Sequence, residues 1–114
     1  MADRPRIEVM VARGKVNHPN LRQVLFGIEE EQVPVQVTEV GDGNAVEMAY
    51  LAAEASQLEV GIGMDAAGNF CLHHKKLDKD QPYIKLKNRS SLEAARIFGN
   101  NSARLVKRMP LRKT

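Results

Sequence analysis

Three consecutive glutamates, Glu29 to Glu31, close an amphipathic segment of the chain just before Val33 and Pro34. Carboxylate oxygens are the ligands that hard cations such as Mg²⁺ prefer in proteins. If the segment is a helix, the three anions crowd its C-terminal end, where the macrodipole opposes each of them by roughly 0.3–1 kcal/mol. The helix dipole by itself therefore does not account for three glutamates at this position.

Other sets of reactive side chains are weaker candidates. His73 and His74 are adjacent in a predicted strand and therefore point to opposite faces, so they cannot share one ion without a further ligand. The glycines at 61, 63 and 68 follow a strand without opening a helix, which matches neither a dinucleotide-binding fingerprint nor a phosphate-binding loop. Cys71 is the single cysteine and is expected to be a small buried apolar residue. The sequence contains no nucleophile elbow or zinc-helix motif, so an enzyme is not expected.

Length and composition predict one domain spanning residues 1–114, with 43% apolar and 27% charged residues. The apolar runs are far shorter than the 18 or more residues of a spanning helix, and the N-terminal MADRPRIEVM lacks the apolar core of a signal peptide. We therefore expect a cytoplasmic protein with no membrane partner.

Charge is unevenly distributed along the chain. Residues 1–74 carry five Lys/Arg and eleven Asp/Glu, a net charge of −6, whereas residues 75–114 carry twelve and three, a net charge of +9. Such a surface can steer an oppositely charged protein or a nucleic acid. Aromatic residues near the basic ones are limited to Tyr83 and Phe98, which gives stacking on single strands little support. A solvated basic face is favoured, and a nucleic-acid-binding α/β module using the basic C-terminal third stays as the alternative function.

Hydrophobic periodicity predicts five strands and three helices. The strands are expected at 6–12, 33–40, 58–64, 70–74 and 83–87, with the third and fourth forming an antiparallel hairpin. The helices are expected from Pro19 or Asn20 to Gln32, from an Asn44 cap onward, and from a capping box at 90–93 to Met109. This alternation predicts an α/β fold, a three-layer α/β/α sandwich with a mixed, mostly parallel five-stranded sheet. In the second helix the expected buried stripe is Met48, Leu51, Ala52 and Ala55.

A helical wheel separates the three glutamates. Relative to the buried direction set by the apolar residues from 21 to 28, Glu30 lies about 170° away, whereas Glu29 and Glu31 lie about 90° and 70° away. Gln23, Phe26 and Gly27 share the outward half with Glu30. An outward Phe beside a mid-helix Gly, which costs about 1 kcal/mol relative to Ala, has two interpretations. Either a terminal segment covers Phe26 and the glutamates are solvated, or this is a docking face where another backbone approaches and Glu30 meets a cation from a partner chain.

Three segments carry a family likeness over nearly the whole chain: LFGIEEEQVPVQV at 25–37, AAEASQLEVGIG at 52–63 and GNNSARLVKRMPLR at 99–112. In this order and spacing they resemble the small subunit of the glycerol or diol dehydratase-reactivating factor. The resemblance implies the fold of the dehydratase medium subunit, which is also similar to anticodon-binding domains.

The resemblance implies a protein that does no chemistry itself. In this family a large subunit with a chaperone-like ATPase fold binds ATP or ADP. It works with the small subunit to release damaged cobalamin from the client, an adenosylcobalamin-dependent dehydratase. The small subunit exchanges places with the dehydratase medium subunit, and ATP resets the complex. The implied assembly is a heterotetramer of two large and two small subunits without nucleic acid, in the cytoplasm or a bacterial microcompartment.

The resemblance also implies roles for the helix end. In family members the middle glutamate is a ligand to a Mg²⁺ ion otherwise held by the large subunit, so Glu30 is the expected metal ligand. The expected partner interface is Gln23, Phe26, Gly27 and Glu30. Glu29 and Glu31 are expected to be solvated or paired with basic residues. Many members have Gly where Gln32 and Arg108 stand, which leaves open how sharply the helices stop here.

Overall fold

The computed structural model describes residues 4–113, and within them the chain forms five strands and three helices. The strands are β1 (Ile7–Ala12), β2 (Val35–Val40), β3 (Val60–Met64), β4 (Phe70–His74) and β5 (Ile84–Leu86). The helices are α1 (Pro19–Glu30), α2 (Ala45–Ala55) and α3 (Leu92–Lys107). Every predicted element is present. Among residues 4–113, none of the helices combines the length and hydrophobicity needed to cross a bilayer.

The five strands form one sheet in the order β2-β1-β3-β4-β5. β1 pairs in parallel with β2 and β3, whereas the β3–β4 and β4–β5 pairs are antiparallel. β4 alone therefore runs against the other strands, which confirms a mixed, mostly parallel sheet. The β3–β4 hairpin is closed by a turn in which the Asn69 amide donates to Asp65 Oδ1 at 2.8 Å, so the glycines at 61, 63 and 68 belong to a strand and a turn, as predicted.

The main core lies between the sheet and the layer formed by α1 and α3. Alternate residues of β1 point into it, and the predicted stripe of α1 covers them. Phe70 of β4 and Phe98 of α3 are buried with ring centroids 5.9 Å apart. Since α2 packs on the opposite face of β3 and β4, the three-layer α/β/α arrangement is confirmed.

The α2 layer lies unusually close to the sheet. A Cβ atom on Gly61 would lie 2.6 Å from the Ala49 carbonyl oxygen, and one on Gly63 would lie 3.0 Å from the Met48 carbonyl carbon. The buried residues of α2 are accordingly small apart from Met48: Ala45, Ala49, Ala52 and Ala53. The prediction that Leu51 and Ala55 are buried is wrong, since Leu51 is 48% exposed and Ala55 is also exposed. The glycines of β3 select an alanine face, which turns the bulkier Leu51 toward solvent.

The helix ends refine three predicted boundaries. The Asn44 cap is confirmed, with its Oδ1 accepting from the Glu47 amide at 2.7 Å. The cap of α3 is Ser91, whose Oγ accepts from the Ala94 amide at 3.0 Å, not the predicted Ser90. α1 ends at Glu30 instead of Gln32, and α3 ends at Lys107 instead of Met109, because the residues just beyond each helix, at 32 and 108, are left-handed with φ of 61° and 58°.

Candidate functional site: a carboxylate held between two helices

α1 and α3 touch backbone to backbone at two glycines. A Cβ atom on Gly27 would lie 2.8 Å from the Asn100 amide nitrogen, and one on Gly99 would lie 2.9 Å from the Val24 carbonyl carbon. Gly27 is buried. The prediction that Gly27 is on an outward face is therefore wrong, because the backbone that approaches it is α3 of the same chain. The partner interface that includes Gly27 stays a prediction. The helical wheel turned Gly27 outward because it considered the sheet and omitted a neighbouring helix.

Glu30 meets two side chains of α3 across this contact. Its Oε1 accepts from Arg96 Nε at 3.0 Å and from Asn100 Nδ2 at 3.1 Å, and its Oε2 accepts from Arg96 Nη2 at 2.7 Å. The two Arg96 nitrogens form the side-by-side fork that matches a carboxylate. The Glu30 side chain is still 47% exposed, so it faces solvent as predicted, but it is not an unpaired carboxylate.

Arg96 also brings two other predicted interface residues together. Its Nη1 donates to Gln23 Oε1 at 3.1 Å, and its guanidinium carbon lies 5.6 Å from the centroid of the Phe26 ring, within the range of a cation–π contact. Phe26 is 41% exposed, so α3 covers it in part. Neither a terminal segment nor solvent alone accounts for this outward face.

The hydrogen bonds to Glu30 stabilise its anionic form. Those from Arg96 first, and then from Asn100, lower the pKa of Glu30 to about 2 from its usual 4.5. The same contact raises the pKa of Arg96. Glu30 is therefore an anion throughout the physiological pH range and presents two hard oxygen atoms at the protein surface.

Glu31 is the most enclosed of the three glutamates. Its Oε2 accepts from Arg104 Nε at 3.0 Å and its Oε1 accepts from Lys107 Nζ at 3.2 Å, with the side chain 12% exposed. Burial alone would raise the pKa of Glu31, but the hydrogen bonds from Lys107 and Arg104 outweigh it and the pKa is lowered. The expectation of pairing with basic residues is confirmed for Glu31, and Glu29 is exposed. Three cations of α3 thus offset the unfavourable dipole at the end of α1.

Asn100 and Arg112 are parts of the site that the sequence reasoning missed. Asn100 is 2% exposed, and its Nδ2 also donates to the Gly27 carbonyl at 2.8 Å while its Oδ1 accepts from Arg112 Nη1 at 2.6 Å. The Asn101 side chain exchanges two hydrogen bonds with the Arg112 backbone at 2.6 and 3.0 Å. One signal could have pointed here, because two adjacent asparagines are unfavourable in the middle of a helix unless their amides are used.

The site can supply one metal ligand. Beside Glu30 lies a cleft of about 320 Å³ that is also lined by Gln23, Glu93, Arg96 and Arg112. Glu30 Oε2 accepts one hydrogen bond, which leaves it room to bind a cation through one further lone pair. Within residues 4–113 no three His, Cys, Asp or Glu side chains are grouped to hold an ion. The residues present therefore fit an ion whose other ligands come from elsewhere.

The remaining candidates have structural partners. His73 is fully buried, with Nε2 3.1 Å from the Lys79 carbonyl oxygen and Nδ1 accepting from the His74 amide at 3.0 Å. Cys71 is buried beside α2. Neither is oriented toward a shared site with Glu30.

Comparison with known proteins assigns the fold. A model of the dehydratase medium subunit family matches residues 4–112. The chain belongs to this family, among the small subunits of dehydratase-reactivating factors. It is 41% identical over 91 residues to the diol dehydratase-reactivating factor small subunit of Klebsiella michiganensis, covering 80% of this chain and 72% of the relative. It is 40% identical over 90 residues to the propanediol dehydratase-reactivating factor small subunit of Salmonella typhimurium, covering 79% and 77%.

Two solved structures have the same fold. One is of a diol dehydratase-reactivating factor complexed with ADP and Mg²⁺, with a TM-score of 0.90 and 37% identity over 97% of this chain and 100% of the matched chain. The other is of a glycerol dehydratase reactivase, with a TM-score of 0.92 and 31% identity over 96% and 98%. The predicted family and fold class are both confirmed.

Proposed function

We propose that this chain is the non-catalytic small subunit of an ATP-dependent, chaperone-like reactivating factor, formed by a single domain over residues 1–114. It binds a large subunit that holds ATP or ADP, in a heterotetramer of two large and two small subunits. Together they release damaged cobalamin from an adenosylcobalamin-dependent glycerol or diol dehydratase in the cytoplasm or a microcompartment. Its relatives, named as small subunits of diol or propanediol dehydratase-reactivating factors, support this function.

The observation that carries the proposal is the Glu30 carboxylate at the end of α1. It is anionic, half exposed and held in one orientation by Arg96 and Asn100. Glu30 provides one oxygen ligand to a Mg²⁺ ion shared with the large subunit, and Gln23 and Phe26 flank it in the interface. The ion, when bound, would supply positive charge between the Glu30 carboxylate and oxygen ligands of the large subunit. The Mg²⁺ and ADP of a related factor are consistent with this role.

Release by subunit exchange is supported by the family itself. The matching model describes a dehydratase subunit, so the same three-layer fold serves in a dehydratase and in its reactivating factor. A shared fold supports exchange, which also requires that the contact surfaces of the two subunits match.

Gel filtration with the large subunit tests the interface. Wild-type chain is expected to co-elute with the large subunit in the presence of Mg²⁺ and ADP, and Glu30→Gln is expected to dissociate at the same concentrations. Glu29→Gln is the matched control, because it removes an exposed neighbouring charge outside the Arg96 contact. A Glu30→Gln complex as stable as the wild-type complex in saturating Mg²⁺, or a wild-type complex that is unchanged when Mg²⁺ is removed, would contradict a bridging role.

Nucleic acid is not among the proposed partners, because part of the basic C-terminal third is already engaged within the chain. Arg104 and Lys107 pair with Glu31, Lys76 lies 4.0 Å from Glu59, and Arg112 bonds to Asn100. Retention on an oligonucleotide column that falls steeply with salt would revive the alternative.

A further inference from the structure

Arg96 of α3 covers the very face of α1 that the proposed interface needs. Three of its nitrogens donate to Glu30 and Gln23 at 2.7–3.1 Å. Its guanidinium lies over Phe26 as well. One cationic side chain therefore contacts three α1 residues at i, i+3 and i+7, which share one helix face.

A divalent cation and this guanidinium compete for the same oxygens. Mg²⁺ binds carboxylate oxygen at about 2.0–2.1 Å, whereas Arg96 Nη2 is 2.7 Å from Glu30 Oε2. A cation bound to Glu30 would repel the positively charged guanidinium. Arg96 cannot relieve this repulsion by losing a proton, since arginine stays protonated in proteins. It can relieve it by moving, because the Arg96 side chain is 38% exposed. Glu93, one turn earlier on α3 and in the same cleft, is an anion to which it can turn.

Asn100 behaves differently from Arg96 toward the same carboxylate. It is uncharged and 2% exposed, and the Gly27 carbonyl and Arg112 hold its amide group on both sides. A cation on Glu30 does not repel it. Asn100 is therefore held in place by contacts other than Glu30, whereas the contacts of Arg96 are to the three α1 residues of this face.

We infer that Arg96 is a releasable internal counter-ion of Glu30, which competes with the bridging cation and sets the cation concentration at which the large subunit binds. This role deepens the proposed function and rests on Glu30 acting as the ligand. Without Arg96 the free carboxylate would be available at lower Mg²⁺. With Arg96 the exposed Glu30 is protected from binding stray cations before the partner arrives.

The test is a Mg²⁺ titration of binding to the immobilised large subunit with ADP, measured by surface plasmon resonance. The pair is exposed and its contribution is therefore modest, so Arg96→Met is expected to lower the half-maximal Mg²⁺ concentration by about 1.4- to 5-fold. Arg96→Lys keeps the charge without the two-nitrogen fork, so its half-maximal Mg²⁺ concentration is expected to lie between those of wild type and Arg96→Met. Arg104→Met is the matched control, because Arg104 pairs with Glu31 at the same 3.0 Å but does not touch Glu30.

Two results would overturn this role in distinguishable ways. If wild-type binding requires Mg²⁺ but Arg96→Met leaves the half-maximal concentration unchanged or raises it, Arg96 merely positions Glu30 and does not compete. If wild-type binding is independent of Mg²⁺ and Glu30→Gln binds like wild type, the bridging function fails and the role of Arg96 fails with it. Circular dichroism checks folding, and Arg96→Lys alone decides the question if Arg96→Met does not fold.

Discussion

Replacing Gly27 by Ala tests the helix contact on which the site depends, because local propensity and the tertiary structure predict opposite signs. If Gly27 were an exposed residue in the middle of a helix, its replacement by Ala would stabilise the protein by about 1 kcal/mol. In the structure, an added Cβ lies 2.8 Å from the Asn100 amide nitrogen and 3.1 Å from the Gly99 carbonyl carbon, with the Arg96 carbonyl oxygen nearer still. These are backbone atoms, so no rotamer change can make room. The two helices must move apart by about 0.7 Å or more to bring the Asn100 nitrogen to an ordinary contact distance near 3.5 Å.

The magnitude follows from the two opposing effects. Overpacking costs about 1–3 kcal/mol, and a clash with backbone belongs at the upper end of that range. Subtracting about 1 kcal/mol for helix propensity leaves a net loss of about 1–2 kcal/mol in the free energy of unfolding. A domain of this size should then melt several degrees lower, by about 4 °C per kcal/mol. Separating the helices also lengthens the bonds from Arg96 and Asn100, so the pKa of Glu30 should rise from about 2 toward its usual 4.5.

Thermal unfolding followed by circular dichroism measures the stability, and an NMR titration of the Glu30 side-chain carboxyl carbon measures its pKa. Gly41→Ala is the control, since nothing lies within 4 Å of a Cβ added there, and it should leave the pKa of Glu30 unchanged. A Gly27→Ala protein that melts at or above the wild-type temperature, with Glu30 titrating as before, would refute the close contact and the electrostatic coupling derived from it.

Three further predictions concern the helix ends, the cysteine and acid stability. Arg108→Gly and Gln32→Gly should each stabilise by about 1 kcal/mol in chemical denaturation, because both residues are left-handed; an equal gain from Arg108→Ala would contradict this cause. Burial raises the pKa of the Cys71 thiol to about 11, so the stabilisation from its folded environment is complete below its usual value of 9.0 and lost as pH rises through 11. Thiol reagents at pH 8 should label Cys71 slowly until denaturant is added, and rapid native labelling would count against burial. The lowered pKa of Glu30 stabilises the fold fully above 4.5, and this contribution disappears as pH falls through about 2. Glu30→Gln should flatten the acid dependence of the melting temperature in that interval, and an unchanged slope would argue against the pairing.

Much of the fold could be predicted because its signals are local. The 3.6-residue spacing of Leu21, Val24 and Ile28 reports a buried helix face, and alternation in β1 reports a strand, whatever each packs against. The Asn44 cap is equally local, since donor and acceptor are three residues apart. The buried face of α2 could not be predicted from the residues of α2 alone, because its alanines are selected by two glycines of the next strand, Gly61 and Gly63.

The sequence by itself determined that Glu30 faces away from the sheet, that the three glutamates differ in direction, and which family the chain resembles. Only the tertiary structure decided what Glu30 meets. Arg96 is 66 residues away along the chain, and it reaches Glu30 because two glycines let α1 and α3 approach closely. Helical periodicity shows only which side of α1 faces the sheet. The opposite side of α1 is partly covered here by a second helix, α3. The lowered pKa of the carboxylate and the identity of the side chain that pairs with it therefore depend on long-range packing, which no single segment encodes.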